Sequence, residues 1–267
     1  MSTSTDQMTP APVLLRDDQD GIVTLTLNRP AQFNALSTEM LTRLQTELDD
    51  IARNEALRAV VIAANGKAFC AGHDLKEMRA SEDRAVHQSL FDQCGRMMVS
   101  INRLPQPVIA RVNGIATAAG CQLVANCDLA VAVEDARFAV SGINVGLFCS
   151  TPAVALSRNL SRKLAMQMLL TGDFISAQQA QQFGLVNEVV TAAELESATR
   201  ALAVKIAAKS AYSIRLGKNM FYEQLPMGLA DAYSYASDRM ACNMDSHDAR
   251  EGIDAFIQKR KPEWQDK

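Results

Sequence analysis

Between residues 21 and 30 the chain reads GIVTLTLNRP, where Ile22, Thr24 and Thr26 alternate with Val23, Leu25 and Leu27 until Asn28-Arg29-Pro30 stops the run. A period of two that ends in a breaker predicts a strand. Ser37 then precedes a segment in which Met40, Leu41, Leu44, Leu48 and Ile51 recur at helical spacing with charges opposite, which predicts a capped amphipathic helix. The continuous apolar run RAVVIAAN (58–65), bounded by Asn-Gly, predicts a buried strand. Strand, helix, strand is a βαβ unit.

The alternation continues with a helix from about Ser81 to Arg103, a strand at 107–114, a small-residue helix at 119–126 and a strand at 128–133. Helices follow near 152–159, 161–170 and 176–182, then a short strand at 184–190, and beyond Thr191 the chain reads as helix almost throughout. The expected organisation is a lead-in at 1–11 without order, an α/β core at 12–190 and a helical C-terminal region at 191–267.

Composition narrows the function classes. A chain of 267 residues that is 48% hydrophobic can bury one substantial core. A net charge of -3 with dispersed basic residues leaves no footprint for a nucleic-acid backbone. Cys70, Cys94, Cys121, Cys127, Cys149 and Cys242 show no CxxC pair and no histidine at metal-ligand spacing, so free thiols and no metal site are expected. MSTSTDQMTPAP carries neither an apolar targeting core nor an arginine-rich amphipathic pattern, and no window is apolar enough to cross a bilayer. A cytoplasmic protein is expected.

Two turns carry more small residues than packing demands. GKAFCAGHD (66–74) and NGIATAAGCQ (113–122) each lead from a strand into a helix. Helix N-termini at strand ends present unpaired N–H groups, so two such turns can aim two donors at one oxygen. Small residues at a strand end also serve close helix packing, and each turn alone admits that reading.

These segments, together with LNRPAQFNALSTEM, the run PQPVIARVNGIATAAGCQLVANCDLAVAVEDARFAV, NVGL and the helical tail, resemble the crotonase (enoyl-CoA hydratase/isomerase) superfamily over roughly residues 12–262. The resemblance implies a ββα spiral core and C-terminal helices that join protomers, as a homotrimer or a dimer of trimers, or cover the site. It implies an acyl-CoA substrate, with coenzyme A as part of that substrate and no other cofactor. It further implies an enolate or related oxyanion held by two backbone N–H groups, here those of His73 after Gly72 and of Ala119 before Gly120. Arg29, Ala31 and the stretch Ala71, Gly72, His73, Asp74, Leu75 would line the adenine and pantetheine path, with Ser141 in the site loop. Lys218 matches a position that approaches the CoA phosphates, or is a solvated helix lysine.

The chain departs from the family where classical hydratases carry two glutamates. By motif those positions are Gln122 and Gly142, and neither is an acid. Each acid–base group contributes about 10²–10⁴ in rate, so classical hydration is doubtful. The positions Gln122, Gly142 and Ser150 also lack the carboxylates of a dienoyl-CoA isomerase. AGHD and Asn144 resemble a methylmalonyl-CoA decarboxylase, although Cys149 stands where that branch has a tyrosine. Simple acyl-CoA binding or thioester hydrolysis is a further alternative.

The remaining chemistry-bearing side chains each have two readings. The His73 imidazole is either an acid–base group or faces solvent and the CoA path, and Cys149 is either a nucleophile or an inert thiol. Asp74 is expected to cap a helix and Asp128 to fix a strand start. His87 and His247 fall on charged helix faces and receive no role.

Overall fold

A computed structural model describes residues 11–267. The lead-in expected at 1–11 therefore falls outside the described residues except for Ala11. In chain order the strands are β1 (Leu14–Gln19), β2 (Ile22–Leu27), β3 (Ala59–Ala64), β4 (Ala68–Cys70), β5 (Val108–Val112), β6 (Ile115–Thr117), β7 (Leu129–Val133), β8 (Arg137–Ala139), β9 (Ile175–Ser176) and β10 (Glu188–Val190). The helices are α1 (Thr38–Arg53), α2 (Leu75–Arg79), α3 (Arg84–Arg103), α4 (Ala119–Asn126), α5 (Ser150–Asn159), α6 (Arg162–Thr171), α7 (Ala177–Gln182), α8 (Leu195–Ala207), α9 (Ala211–Gln224), α10 (Leu229–Met244) and α11 (His247–Gln258).

Local chemistry explains the predicted elements. Ser37 Oγ accepts from Met40 N at 3.2 Å, and the five apolar residues picked out by their spacing are the buried face of α1. Asp83 caps α3 rather than Ser81, so that helix starts three residues later than expected. Ser176 and Gln179 form a reciprocal capping box at α7.

Two sheets carry the core. The larger runs β1-β2-β3-β5-β7-β10, parallel except for the β1–β2 hairpin. The smaller runs β4-β6-β8-β9, with β4, β6 and β8 parallel. Each short strand β4, β6 and β8 follows directly on a strand of the first sheet, so the chain turns out of one sheet into the other three times in succession. Repetition of this turn stacks the ends of β4, β6 and β8 side by side, with the loops after them on one edge.

The core boundary expected at residue 190 moves. Helix α8 packs against β2, β3, β5 and β7 and buries Leu195, Thr199 and Ala203, so it covers the larger sheet as part of the core. The region that stands apart begins after it, with α9, α10 and α11.

One polar cluster ties that region to the core. Asp128, just before β7, accepts from Val108 N at 2.7 Å, Lys218 Nζ at 2.5 Å and Tyr222 Oη at 2.8 Å. Lys218 also donates to the Ile101 and Gln106 carbonyls, each at 3.0 Å, and its side chain is only 7% exposed. Burial pulls the Lys218 ammonium down from its ordinary pKa, and the Asp128 carboxylate opposes that. The expected strand-start role of Asp128 is present, whereas Lys218 is neither solvated nor free to meet a phosphate. Removing one partner of a buried pair leaves the other uncompensated, so Asp128→Ala is expected to cost about 3–5 kcal/mol. Adding Lys218→Met should recover much of that loss; thermal unfolding of both variants checks it.

Candidate functional site

The loop after β2 prepares the first turn. Asn34 is fully buried; its amide donates to the Asn65 and Ala68 carbonyls at 2.8 Å each, and its Oδ1 accepts from Arg29 N at 2.8 Å. These bonds hold the loop against β4, and Ala71 N donates to Phe33 O at 3.0 Å. Arg29 then pairs with Asp74 at 3.1 Å and donates to Ala35 O at 3.0 Å. Asp74 Oδ1 accepts from Lys76 N at 3.1 Å, capping α2 as expected. Burial would raise the Asp74 carboxyl pKa, but the Arg29 guanidinium and the capped N–H groups hold it below the ordinary range.

Within this turn Gly72 has φ +93, a conformation that side chains rarely adopt. Leu36 N donates to Gly72 O at 2.7 Å and Asp74 N donates to Leu36 O at 3.4 Å, a parallel bridge centred on His73. In such a bridge the central residue points its own N–H to the opposite side. The His73 N–H accordingly finds no acceptor among the described residues.

The second turn arrives at the same place. Ala118 holds φ 50, ψ -122, and its N–H donates to Ala139 O at 3.0 Å. Ala119 is therefore the first residue of α4, where a backbone N–H has no intrahelical acceptor. A Cβ on Gly72 would lie 3.2 Å from Ala119 N, and a Cβ on Gly120 would lie 2.1 Å from Cys70 O. The start of α4 thus rests on β4 and on the first turn, and the two expected donors are neighbours.

His73 and Ala119 both line a cavity of about 390 Å³. Of the residues singled out from sequence, Ala71, His73, Leu75, Ala119, Ser141, Gly142, Cys149 and Ser150 line it. Met78, Phe91, Ala118, Val145, Leu147, Phe148, Thr151 and Pro152 complete the wall. Val145 and Leu147 belong to the NVGL segment that carries part of the resemblance; Phe91 sits inside a long helix with no signal of its own.

The His73 ring lies edge-on to Phe91, with centroids 5.5 Å apart and planes at 74°. Both ring nitrogens are sealed from solvent without a well-formed hydrogen bond among the described residues, the Leu36 backbone being the polar group close enough to act on the ring. His73 lines the cavity as a residue, while its ring nitrogens are turned into the protein rather than to solvent. Burial lowers its pKa from the ordinary 6.5, against a smaller pull upward from the Leu36 backbone and Glu77, which favours the neutral imidazole.

Other candidates are placed differently. Gln122 stands one turn after Ala119 on α4, is 3% exposed with Oε1 unpartnered, and does not form part of the wall. Asn144 does not line the cavity, and its side-chain amide lies against Gly172, where a Cβ would come within 2.8 Å of Nδ2, away from its expected place in the site. Arg29, Ala31, Asp74, Gly72 and Gly120 shape the turns without lining the cavity, and Lys218 lies at the entry to β5 and β7. Cys149 is buried, and burial raises its thiol pKa, partly offset by the Gly142 backbone, in line with an inert thiol. His87 Nε2 bonds the Met78 and Ser81 carbonyls at 2.9 and 3.1 Å, and His247 lies 3.6 Å from Asp248, so neither reaches the cavity.

Gly142 is the sharpest departure. A Cβ there would lie 2.6 Å from Leu147 O and 2.7 Å from Cys149 Sγ. The space for any side chain at this position is already taken. Contact with a backbone carbonyl cannot relax cheaply, so Gly120→Ala is expected to lose about 1–3 kcal/mol. Gly142→Ala meets its nearest carbonyl at 2.6 Å rather than 2.1 Å and should lose less; chemical denaturation of the two variants measures the difference.

The model of the family described as enoyl-CoA hydratase/isomerase matches residues 17–267. The rat protein named enoyl-CoA hydratase domain-containing protein 3, mitochondrial, is 49% identical over 246 residues, 92% of this chain and 82% of that protein. The crystal structure of an enoyl-CoA hydratase from Mycobacterium smegmatis superimposes with a TM-score of 0.94 at 58% identity, over 95% of this chain and 99% of that one. That of human enoyl-CoA hydratase domain-containing protein 3 gives 0.92 at 48% identity, over 94% and 100%. The expected crotonase-type fold is thereby borne out. The mitochondrial name of the rat relative overturns the cytoplasmic location read from the N-terminal residues.

Proposed function

This chain belongs to the enoyl-CoA hydratase/isomerase family and is an enzyme of that kind, and from that premise we propose that it stabilises the enolate of an acyl-CoA thioester between the N–H groups of His73 and Ala119. The observation that supports the reading is the close approach of the two turns, a Cβ on Gly72 falling 3.2 Å from Ala119 N, with His73 and Ala119 both lining one cavity. Removing an α-proton from a thioester puts negative charge on the carbonyl oxygen. Fixed N–H dipoles in a water-poor cavity meet that charge without reorganising, and one such donor is typically worth about 10²–10³ in rate.

The cavity wall favours proton movement over hydration. No Asp or Glu lines it among the described residues, and the positions that match the family glutamates are a buried Gln122 and a Gly142 with no room for a side chain. Water addition lacks its carboxylate pair. Shifting a double bond needs only the enolate and one group to carry a proton. A malonyl-type substrate fits poorly, because no Lys or Arg lines the cavity to pair with its carboxylate and Asn144 faces Gly172.

The thioester would enter past the turn shaped by Arg29, Ala31, Asp74 and Leu75, with coenzyme A as part of the substrate. A homotrimer, alone or doubled, is the proposed assembly. Its support is the row of large apolar side chains left exposed on the C-terminal helices, among them Phe221, Leu229, Tyr233, Met240, Phe256 and Ile257.

Assays with crotonyl-CoA, a 3-enoyl-CoA and methylmalonyl-CoA test the reading. The 3-enoyl-CoA is expected to isomerise and crotonyl-CoA to hydrate slowly. Ala119→Pro, with its fold checked by circular dichroism, should lose about 10²–10³ in rate. Efficient crotonyl-CoA hydration would sink the argument from the missing acids. Sedimentation equilibrium should give a mass of three or six chains, and a monomer would contradict the assembly.

A further inference from the structure

The cavity ends against a groove. Phe91 of α3 and Thr151 in the first turn of α5 line the cavity of about 390 Å³, and the same two residues line a groove of about 880 Å³ between α1 and α3. No other residue is common to both, so the two spaces meet at this pair. The Phe91 ring is braced there edge-on to His73, with centroids 5.5 Å apart, and His73 is itself fixed by the backbone bridge to Leu36.

Beyond Phe91 the same face of α3 continues at steps of four with Gly95 and Val99, both on the groove. Gly95 stands in the middle of a 20-residue helix, where glycine is disfavoured against alanine, yet a Cβ on it would meet nothing within 4 Å. Packing within the chain does not account for it; an open path along the helix does. Leu48 and Ala52 of α1 border that path. Asp92 and Arg96 are exposed and lie about 100° round the helix from the row, which leaves the row itself uncharged.

We propose that Phe91, seated against Thr151, is the stop that sets the length of acyl chain this site accepts, a proposal that rests on the acyl-CoA reading above. A carbonyl held at His73 and Ala119 starts its chain in the cavity that Phe91 closes. Leu75, Met78, Val145, Leu147, Phe148 and Pro152 offer that chain apolar contact, and no charged side chain lines the cavity to pair with a charge at its far end. Methylenes that stay inside leave water; those that reach Phe91 meet a ring that His73 holds in place. The substrate class is a short, uncharged acyl thioester. Without the ring, the chain runs on into the groove over Gly95 and Val99.

Calorimetric binding of straight-chain saturated acyl-CoAs, from butyryl to decanoyl, tests the assignment, because affinity is read without turnover. In the wild type Kd is expected to fall about fourfold per methylene and then to stop improving at a limiting chain length. Phe91→Ala should carry the improvement past that limit, binding the longest chains about tenfold or more tighter than the wild type does. Adding Gly95→Phe to Phe91→Ala fills the groove and should bring the limit back. Equal limits in the wild type and Phe91→Ala, a wild-type affinity that climbs through the whole series, or a double variant that keeps the longer limit overturns the proposal. Failure of the acyl-CoA reading looks different: no member of the series would then bind the wild type or either variant more tightly than free coenzyme A. Should Phe91→Ala not fold, Phe91→Val removes the ring and provides the same comparison.

Discussion

The site rests on a close approach of backbone to backbone. The first turn of α4 lies on the carbonyl of Cys70 because Gly120 has no Cβ, and the preceding turn reaches Ala119 because Gly72 has none. Ala118 holds a positive φ to direct Ala119 into this contact. Such a conformation is costly for a non-glycine residue and persists only where its surroundings over-determine it. Here they do: Ala118 N bonds β8, Gly72 O bonds Leu36, and Asn34 fastens the loop that carries Leu36. Remove the close approach and the two N–H groups separate.

A second property follows from how the cavity is walled. Its lining is apolar or neutral, and its one group that ordinarily titrates near neutrality is His73. A charge that develops there meets few competing fields. Charge elsewhere in the molecule is handled by pairing. Lys218 is buried at the other end of β5 and β7, where Asp128, Tyr222 and two carbonyls satisfy it. The same low-dielectric interior therefore holds a fully partnered charge in one place and leaves the His73 ring nitrogens and Gln122 Oε1 without partners in the other.

Much of the fold was legible from pattern. Strand β2, helix α1 and strand β3 follow from alternation, spacing and capping, because each buries one face or both against the core. The smaller sheet was not legible, since β4, β6, β8 and β9 have 3, 3, 3 and 2 residues, too few for a period to show. Strand β1 was missed because LLRDDQ is mostly exposed at the sheet edge. Helix α8 read like its neighbours in the tail, yet it belongs to the core, and only its contacts tell them apart.

The site divides along the same line. Small residues at Gly72 and Gly120, and the absence of acids at Gln122 and Gly142, are properties of residue type, and the chain alone determined them. It could not show that Asn144 faces Gly172, that Lys218 is buried against Asp128, or that the His73 ring turns inward onto Phe91. Those depend on segments 28, 90 and 18 positions apart in sequence, whose relative placement is decided by packing between elements. Residue identity sets which groups are available; whether a group is paired, buried or open to a ligand is a property of its neighbours, and only the tertiary structure supplies them.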